Sequence, residues 1–185
     1  MKITGPHRMY PSAVISELRD RLSLGVGRHL YGVLGTYRQL GQFEQVHLGQ
    51  ATRPQGGPFP EAINLNRELL AGIGDDDLRR LVRDEARRQQ AVRYRLKLEL
   101  DRLIGERLQG KHLLILKQLE LVFAYNLDLG VFRTRATNQD HVLLLLPGER
   151  RGEHTILFHE AGPELHRSLP NNLVADNHLW ELTDG

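Results

Sequence analysis

Apolar residues recur along this chain in two rhythms, one helical and one continuous, and the changes between them divide it into elements. Residues 12–24, SAVISELRDRLSL, bring Val14, Ile15, Leu18, Leu22 and Leu24 near one face at helical spacing, with Ser12 behind Pro11 as N-cap and Gly25 and Gly27 as the stop. HLYGVLG, 29–35, is a short apolar run closed by glycine and predicts a strand leading into a turn. TYRQLGQF then starts a short helix, and FEQVHL, 43–48, reads as a further strand. TRPQGGPFP, 52–60, holds three prolines and two glycines and predicts a loop. AINL follows as a strand-like run into NRELLAG, where Asn64 or Asn66 caps a helical turn and Gly72 or Gly74 ends it. From Asp75 to about Leu108 the pattern is helical, through Leu78, Leu81, Val82, Ala86, Val92, Leu96, Leu100, Leu103 and Leu108, with a break expected near Gln89 and Gln90. Asp75, Asp76 and Asp77 suit the positive end of its dipole.

The second half is dominated by continuous aliphatic runs, which burial on both faces of a sheet requires. KHLLIL, 111–116, predicts a central strand, QLELVFAYNLDLGVF a short helix and turn, and DHVLLLLPGE, 140–149, a second buried strand ending at Pro147 and Gly148. HTILFHE, 154–160, is joined to it by the charged turn ERRGE as in a hairpin. A helical turn at 163–167, a loop SLPNNL and a last strand HLWELT complete the pattern. Strands alternating with helices and then a hairpin predict an α/β fold of three layers, with a mostly parallel sheet and an antiparallel edge hairpin. With 185 residues and no repeat, one domain over residues 1–185 is expected.

Composition narrows the chemistry. Without cysteine there is no disulfide, thiolate metal site or cysteine nucleophile. No apolar run approaches the roughly 18 residues of a membrane helix, and MKITGPHRMYPSAV lacks the apolar core of a secretory signal, so a cytoplasmic location away from membranes is expected. The formal charge is +2, and of 25 basic residues only Lys2, Lys97, Lys111 and Lys117 are lysines. That skew fits either a GC-rich genome or a need for planar guanidinium groups. There is no G-x-S-x-G, and the serines have no histidine and acid around them in sequence.

The strand KHLLIL ends where many nucleotide hydrolases place the aspartate that holds magnesium, yet the next residues are Lys117 and Gln118. If it is that strand, HLYGVLG must deliver the phosphate loop GxxxxGK[ST], whose amides cradle phosphate. Counting from Gly35 gives GTYRQLGQ, which puts Leu40, Gly41 and Gln42 where glycine, lysine and hydroxyl residue belong. No Gly-Lys-Ser or Gly-Lys-Thr exists in the chain. An ammonium at Lys117 would repel magnesium by several kcal/mol at short range in a partly buried site.

The blocks AINLNRELL and LLILKQLELVF, followed by a second strand and TILFHE, resemble the BrxF family, the small P-loop proteins of BREX phage-exclusion systems. In that family an NLN-x-EL segment precedes a helix, and an aliphatic strand ends in an Asp-Asn pair before a short Glu-Leu-Leu-Phe helix. Asn64, Leu65, Asn66, Glu68 and Leu69 match the first block, and Leu113 to Leu116, Glu120, Leu121 and Phe123 the second. Lys117 and Gln118 depart from the acid and its neighbour, and Gly41 and Gln42 from the phosphate loop. The resemblance, over about residues 60–160, implies a sheet of P-loop NTPase type. With its machinery lost, it implies a pseudo-ATPase that serves an antiphage complex as a non-catalytic interaction subunit. Its partners would be a large ATPase or phosphatase-like protein of the same island, and DNA. No catalytic, cofactor-binding or metal-binding residue is assigned, and the oligomeric state stays open.

Two other readings stand beside it. Arg80, Arg83, Arg87 and nearly Arg88 recur at helical spacing and, with Arg79, form a basic stripe suited to a phosphate backbone or an acidic partner, or else to a solvated face with internal ion pairs. A surviving NTPase would need an irregular loop between Gly25 and Gly41. Histidines 154, 159 and 166 with Glu160 suggest a metal, but His154 and His159 would point to opposite faces of one strand. Lys117 is otherwise expected to reach solvent on its flexible stem.

Overall fold

The aliphatic runs lie side by side in the structure, a computed structural model that describes residues 8–183. Residues 1–7, which contain Lys2 and the start of the segment read for a signal, and residues 184–185 lie outside the described residues. In chain order the strands are β1 (Arg8–Met9), β2 (Leu30–Gly35), β3 (Ile63–Asn64), β4 (Leu113–Lys117), β5 (His141–Arg151), β6 (His154–Leu157), β7 (Arg167–Leu169) and β8 (Leu179–Leu182). The helices are α1 (Pro11–Leu22), α2 (Tyr37–Gln42), α3 (Leu65–Ile73), α4 (Asp75–Asp84), α5 (Gln89–Leu108), α6 (Glu120–Ala124) and α7 (Gly130–Arg135). The sheet runs β1-β8-β2-β5-β4-β3, with every neighbouring pair parallel.

Helices cover both faces of this sheet, and the alternation along each strand assigns the residues. Tyr31, Val33, Leu113, Ile115, Leu143, Leu145 and Trp180 point toward α1 and the α2 segment, where Val14, Leu18, Leu40 and Phe43 meet them. Leu30, Leu34, Leu114, Leu116, Val142, Leu144 and Leu146 point the other way, toward Leu65 and Leu69 of α3 and the buried side of α5. Each such side chain taken fully out of water contributes roughly 1.5–3 kcal/mol, so the two-faced runs supply much of the drive to fold. Gly32 faces the α3–α5 side. A Cβ there would lie 2.7 Å from Leu179 Cδ1, so the glycine is needed for close packing.

The antiparallel part differs from expectation in place and extent. β5 does not stop at Pro147 and Gly148 but runs on to Arg151, and its second half pairs with β6, which pairs with β7. The hairpin therefore grows from a central strand rather than forming the edge of the parallel sheet. Proline has no N–H to donate, and Pro147 sits where the strand leaves its parallel partners for the antiparallel one. β6 ends at Leu157, short of residue 160, because Phe158 turns to positive φ of 60° and donates its N–H to Pro147 O at 2.7 Å. β7 occupies the join between the expected helical turn and loop, and the short β1 has no signal of its own in the apolar pattern.

The expected strand at 43–48 is instead a π-helical continuation of α2. Bonds from i to i+5 widen the turn and bring Phe43 and Leu48 together onto the core, while Val46 stays partly exposed. The helical stretch from Asp75 breaks, just ahead of the expected Gln89 and Gln90, into α4 and α5, separated at 85–88. Between Val82 and Val92 the only apolar residues are Ala86 and Ala91, so a continuous helix there would have almost nothing to bury.

Candidate functional site

In open α/β sheets ligands bind outside the carboxyl ends of the strands where the strand order reverses. Here that place is beside β2, which lies between the later strands β5 and β8. Gly35 ends β2, and Thr36 caps α2 through a reciprocal capping box, its Oγ accepting from Gln39 N at 3.1 Å while Gln39 Oε1 accepts from Thr36 N at 2.8 Å. Helix begins at Tyr37, two residues after Gly35. Leu40, Gly41 and Gln42 are thus inside α2, and no loop separates strand from helix in which phosphate could be wrapped. Within the stretch Gly25–Gly41 irregular backbone is confined to residues 25–29, at the amino end of β2, and to Thr36; the rest is β2 and α2.

A carboxylate of the chain meets the helix start. Glu160 Oε2 accepts from Tyr37 N at 2.7 Å, where the dipole and free amides favour an anion. The Tyr37 hydroxyl donates to Glu120 at 3.2 Å. Burial, the Glu120 charge and hydrogen bond, and then the Glu160 charge push the Tyr37 phenol up to about 12.

Lys117, at the end of β4, does not reach for solvent as expected. Its Nζ lies 2.7 and 3.0 Å from the two carboxylate oxygens of Glu44, and both side chains are partly buried. Glu44 is placed by the π-helical turn that replaces the expected strand. Gln118 follows in the left-handed region, φ 54°, held there by its carbonyl O accepting from Asn66 N at 3.1 Å and by its side-chain oxygen accepting from Asn64 Nδ2.

The two sequence blocks that carry the resemblance touch each other. Asn64 caps α3 by accepting from Arg67 N at 3.0 Å. Asn66 donates to Glu120 at 2.7 Å and accepts from Leu121 N at 3.0 Å, and so fastens α6 to α3. Glu68 pairs with Arg107 of α5. Structural bonds therefore account for most of the polar residues in both blocks. Compared with known proteins, the chain matches no family model, and neither a curated protein nor a solved structure matches it at a significant level.

The basic stripe is divided. Arg79, Arg80 and Arg83 are on α4, whereas Arg87 and Arg88 lie in the turn after it, so the helical spacing read across all five does not make one face. Arg79, Arg80 and Arg88 reach Asp76, Asp77 and Asp84 at 3.8–3.9 Å, long contacts between exposed groups worth little. Arg83 and Arg87 have no carboxylate partner among the described residues. His159 lies past the end of β6 and lines a cleft of about 310 Å³ with Gly35, Thr36, Glu149 and Glu181, while His154 sits exposed at the hairpin turn. Among the described residues no group of three histidines and acids is arranged to hold a metal ion. Glu44 and Tyr37 carry no such role in the sequence, and Glu120 and Glu160 stand there only in the resemblance block and the metal suggestion, because the contacts Lys117–Glu44, Tyr37–Glu120 and Tyr37–Glu160 bridge 73, 83 and 123 residues of chain.

Proposed function

We propose that this chain is a non-catalytic interaction subunit of an antiphage defence complex, built on a sheet of P-loop NTPase type whose nucleotide positions are filled by its own side chains. The observation that carries the reading is the pairing of Lys117 with Glu44, together with Glu160 at the start of α2. A magnesium nucleotide needs an anion at the end of β4 and an uncommitted cation and amides after β2. Here the charges are reversed at the first place and already answered by a carboxylate at the second. A sheet keeps its packing value without its active site, so a scaffold role costs the fold little. The defence setting and the partner, a large ATPase or phosphatase-like protein of the same island, rest on the BrxF resemblance of residues 64–69 and 113–123.

The test is titration of the whole chain with ATP and magnesium, read by thermal unfolding and by the amide resonances of Gly35, Thr36, Tyr37 and Lys117. A ligand at 100 times its Kd stabilises by about 2.7 kcal/mol. The expected result is no rise in Tm, no movement of those resonances and no phosphate release, with a stable complex on mixing with the island's large ATPase. Saturable magnesium-dependent shifts at those four residues would overturn it.

A second reading, a nucleic-acid-binding accessory protein, is favoured by the unpaired Arg83 and Arg87. It requires affinity for duplex DNA that falls steeply between 50 and 200 mM salt, on the order of tenfold or more for a few phosphate contacts, and that weakens in Arg83→Gln.

A further inference from the structure

A second concave site lies at the opposite, amino-terminal edge of the sheet. A cleft of about 380 Å³ opens between the end of α1, the turn at 52–58 and the starts of β4 and β5. The turn is a built wall: Arg53 N donates to Gly57 O at 2.9 Å, Thr52 bridges to Pro58, and Gln55 Nε2 donates to Leu22 O at 3.3 Å, which fastens the turn to α1. The segment that reads as a featureless loop in sequence is therefore a fixed part of the surface.

The lining has a definite chemistry. Arg53 and Lys111 both face the cleft, no acidic residue lines it, and among the described residues neither cation forms an ion pair. The Nε of Arg53 is buried with no acceptor. A buried N–H left unanswered is unfavourable, so Arg53 carries hydrogen-bonding capacity that the chain itself does not meet. His141, only 4% exposed, also lines the cleft, and the Tyr31 hydroxyl engages its Nδ1 at 3.3 Å. Leu22, Leu24 and Leu113 form the apolar part.

We propose that this cleft binds a small organic dianion with a compact apolar body, a phosphomonoester being the simplest, with its charged oxygens on Arg53 and Lys111 and its body against the three leucines. Two unpaired cations match two negative charges, a guanidinium fork matches phosphate oxygens, and the volume lies within the range of small-molecule pockets. The site is remote from the carboxyl edge and does not depend on the function proposed for it.

The test is titration of the whole chain with phenyl phosphate, with inorganic phosphate and phenol as its two halves, followed by amide chemical shifts and calorimetry. Phenyl phosphate should bind saturably, about tenfold or more tightly than inorganic phosphate, with phenol showing no binding, and the moving resonances should be those of 53–55, 111–113 and 139–141. This mapping needs no substitution and so holds whatever a variant does to folding. Arg53→Gln should weaken binding about tenfold or more, and Arg79→Gln on α4 should leave it unchanged. Absence of saturable binding, equal affinity for inorganic phosphate, shifts elsewhere, or equal loss in Arg79→Gln would each overturn the proposal.

Discussion

Lys117 and Glu44 show how little a single residue reveals of its role until its partner is known. A lysine at a strand end reads as a lost acid or a solvated tail, and only the π-helical turn brings the carboxylate to it. The pair is partly buried and partly screened by solvent, so Glu44→Gln, which leaves an ammonium without its counter-charge, should cost up to about 1 kcal/mol, a fall in Tm of up to roughly 2–4 °C. Lys117→Asp should cost more, since it sets two carboxylates together, and should not confer ATP hydrolysis, because no cation or loop for phosphate accompanies it. Thermal unfolding and phosphate release check both, and ATP turnover in Lys117→Asp would contradict the account. Packing makes its own demand at Gly32. Gly32→Ala meets Leu179 Cδ1 and should destabilise by about 1–3 kcal/mol in denaturant unfolding. A neutral outcome would show that Leu179 can move away.

Helix α4 and helix α5 come from one continuous helical pattern, yet they differ in what holds them. α4 has no buried residue, starts at Gly74 without a side-chain cap, and packs only Leu78 and Leu81 partly against the core. α5 buries Val92, Leu96, Glu99, Leu100, Leu103, Ile104 and Leu108, with Glu99 answered by Arg95 and Arg102. An element without buried contacts opens before the rest of the fold. Amide hydrogens of Asp75–Asp84 should exchange far faster than those of β2, β4 and β5, whose protection should approach the global stability. Equal protection across α4 and β5 would mean that α4 is held by contacts other than these.

At the scale of the whole molecule, three histidines set a pH limit. His29, His141 and His178 gather with Tyr31 and Trp180 near the amino edge, the His29 and His141 rings stacked 4.2 Å apart. Burial lowers all three pKa values, with repulsion from His29 adding at His141 and from Arg21 at His178; His141 falls to about 4. The folded chain therefore keeps these rings neutral where the unfolded chain, near 6.5, binds protons. Stability should be flat above pH 6.5 and fall as pH drops from 6.5 toward 4, by up to about 3 kcal/mol from His141 alone. Urea unfolding across that range checks it, and His141→Gln should flatten the slope. A slope unaltered in that variant would assign the acid limit to other groups.

The sequence by itself determined where the central strands lie, because Leu30–Gly35, Leu113–Lys117 and His141–Leu146 are apolar on both faces and only a doubly covered sheet buries them. It also determined a cap at Asn64 or Asn66, of which the structure uses Asn64, and the break before Gln89, since capping and apolar spacing are local. The tertiary structure decided the rest. Alternation in FEQVHL did not make a strand, because Phe43 and Leu48 bury better on a widened helical turn that continues α2. Pro147 did not end β5, because a neighbouring hairpin took over pairing where the parallel partners stopped. The charges at the carboxyl edge, Lys117 with Glu44 and Tyr37 with Glu160, were settled by contacts across 73 and 123 residues, and chain neighbours carry no trace of such distances.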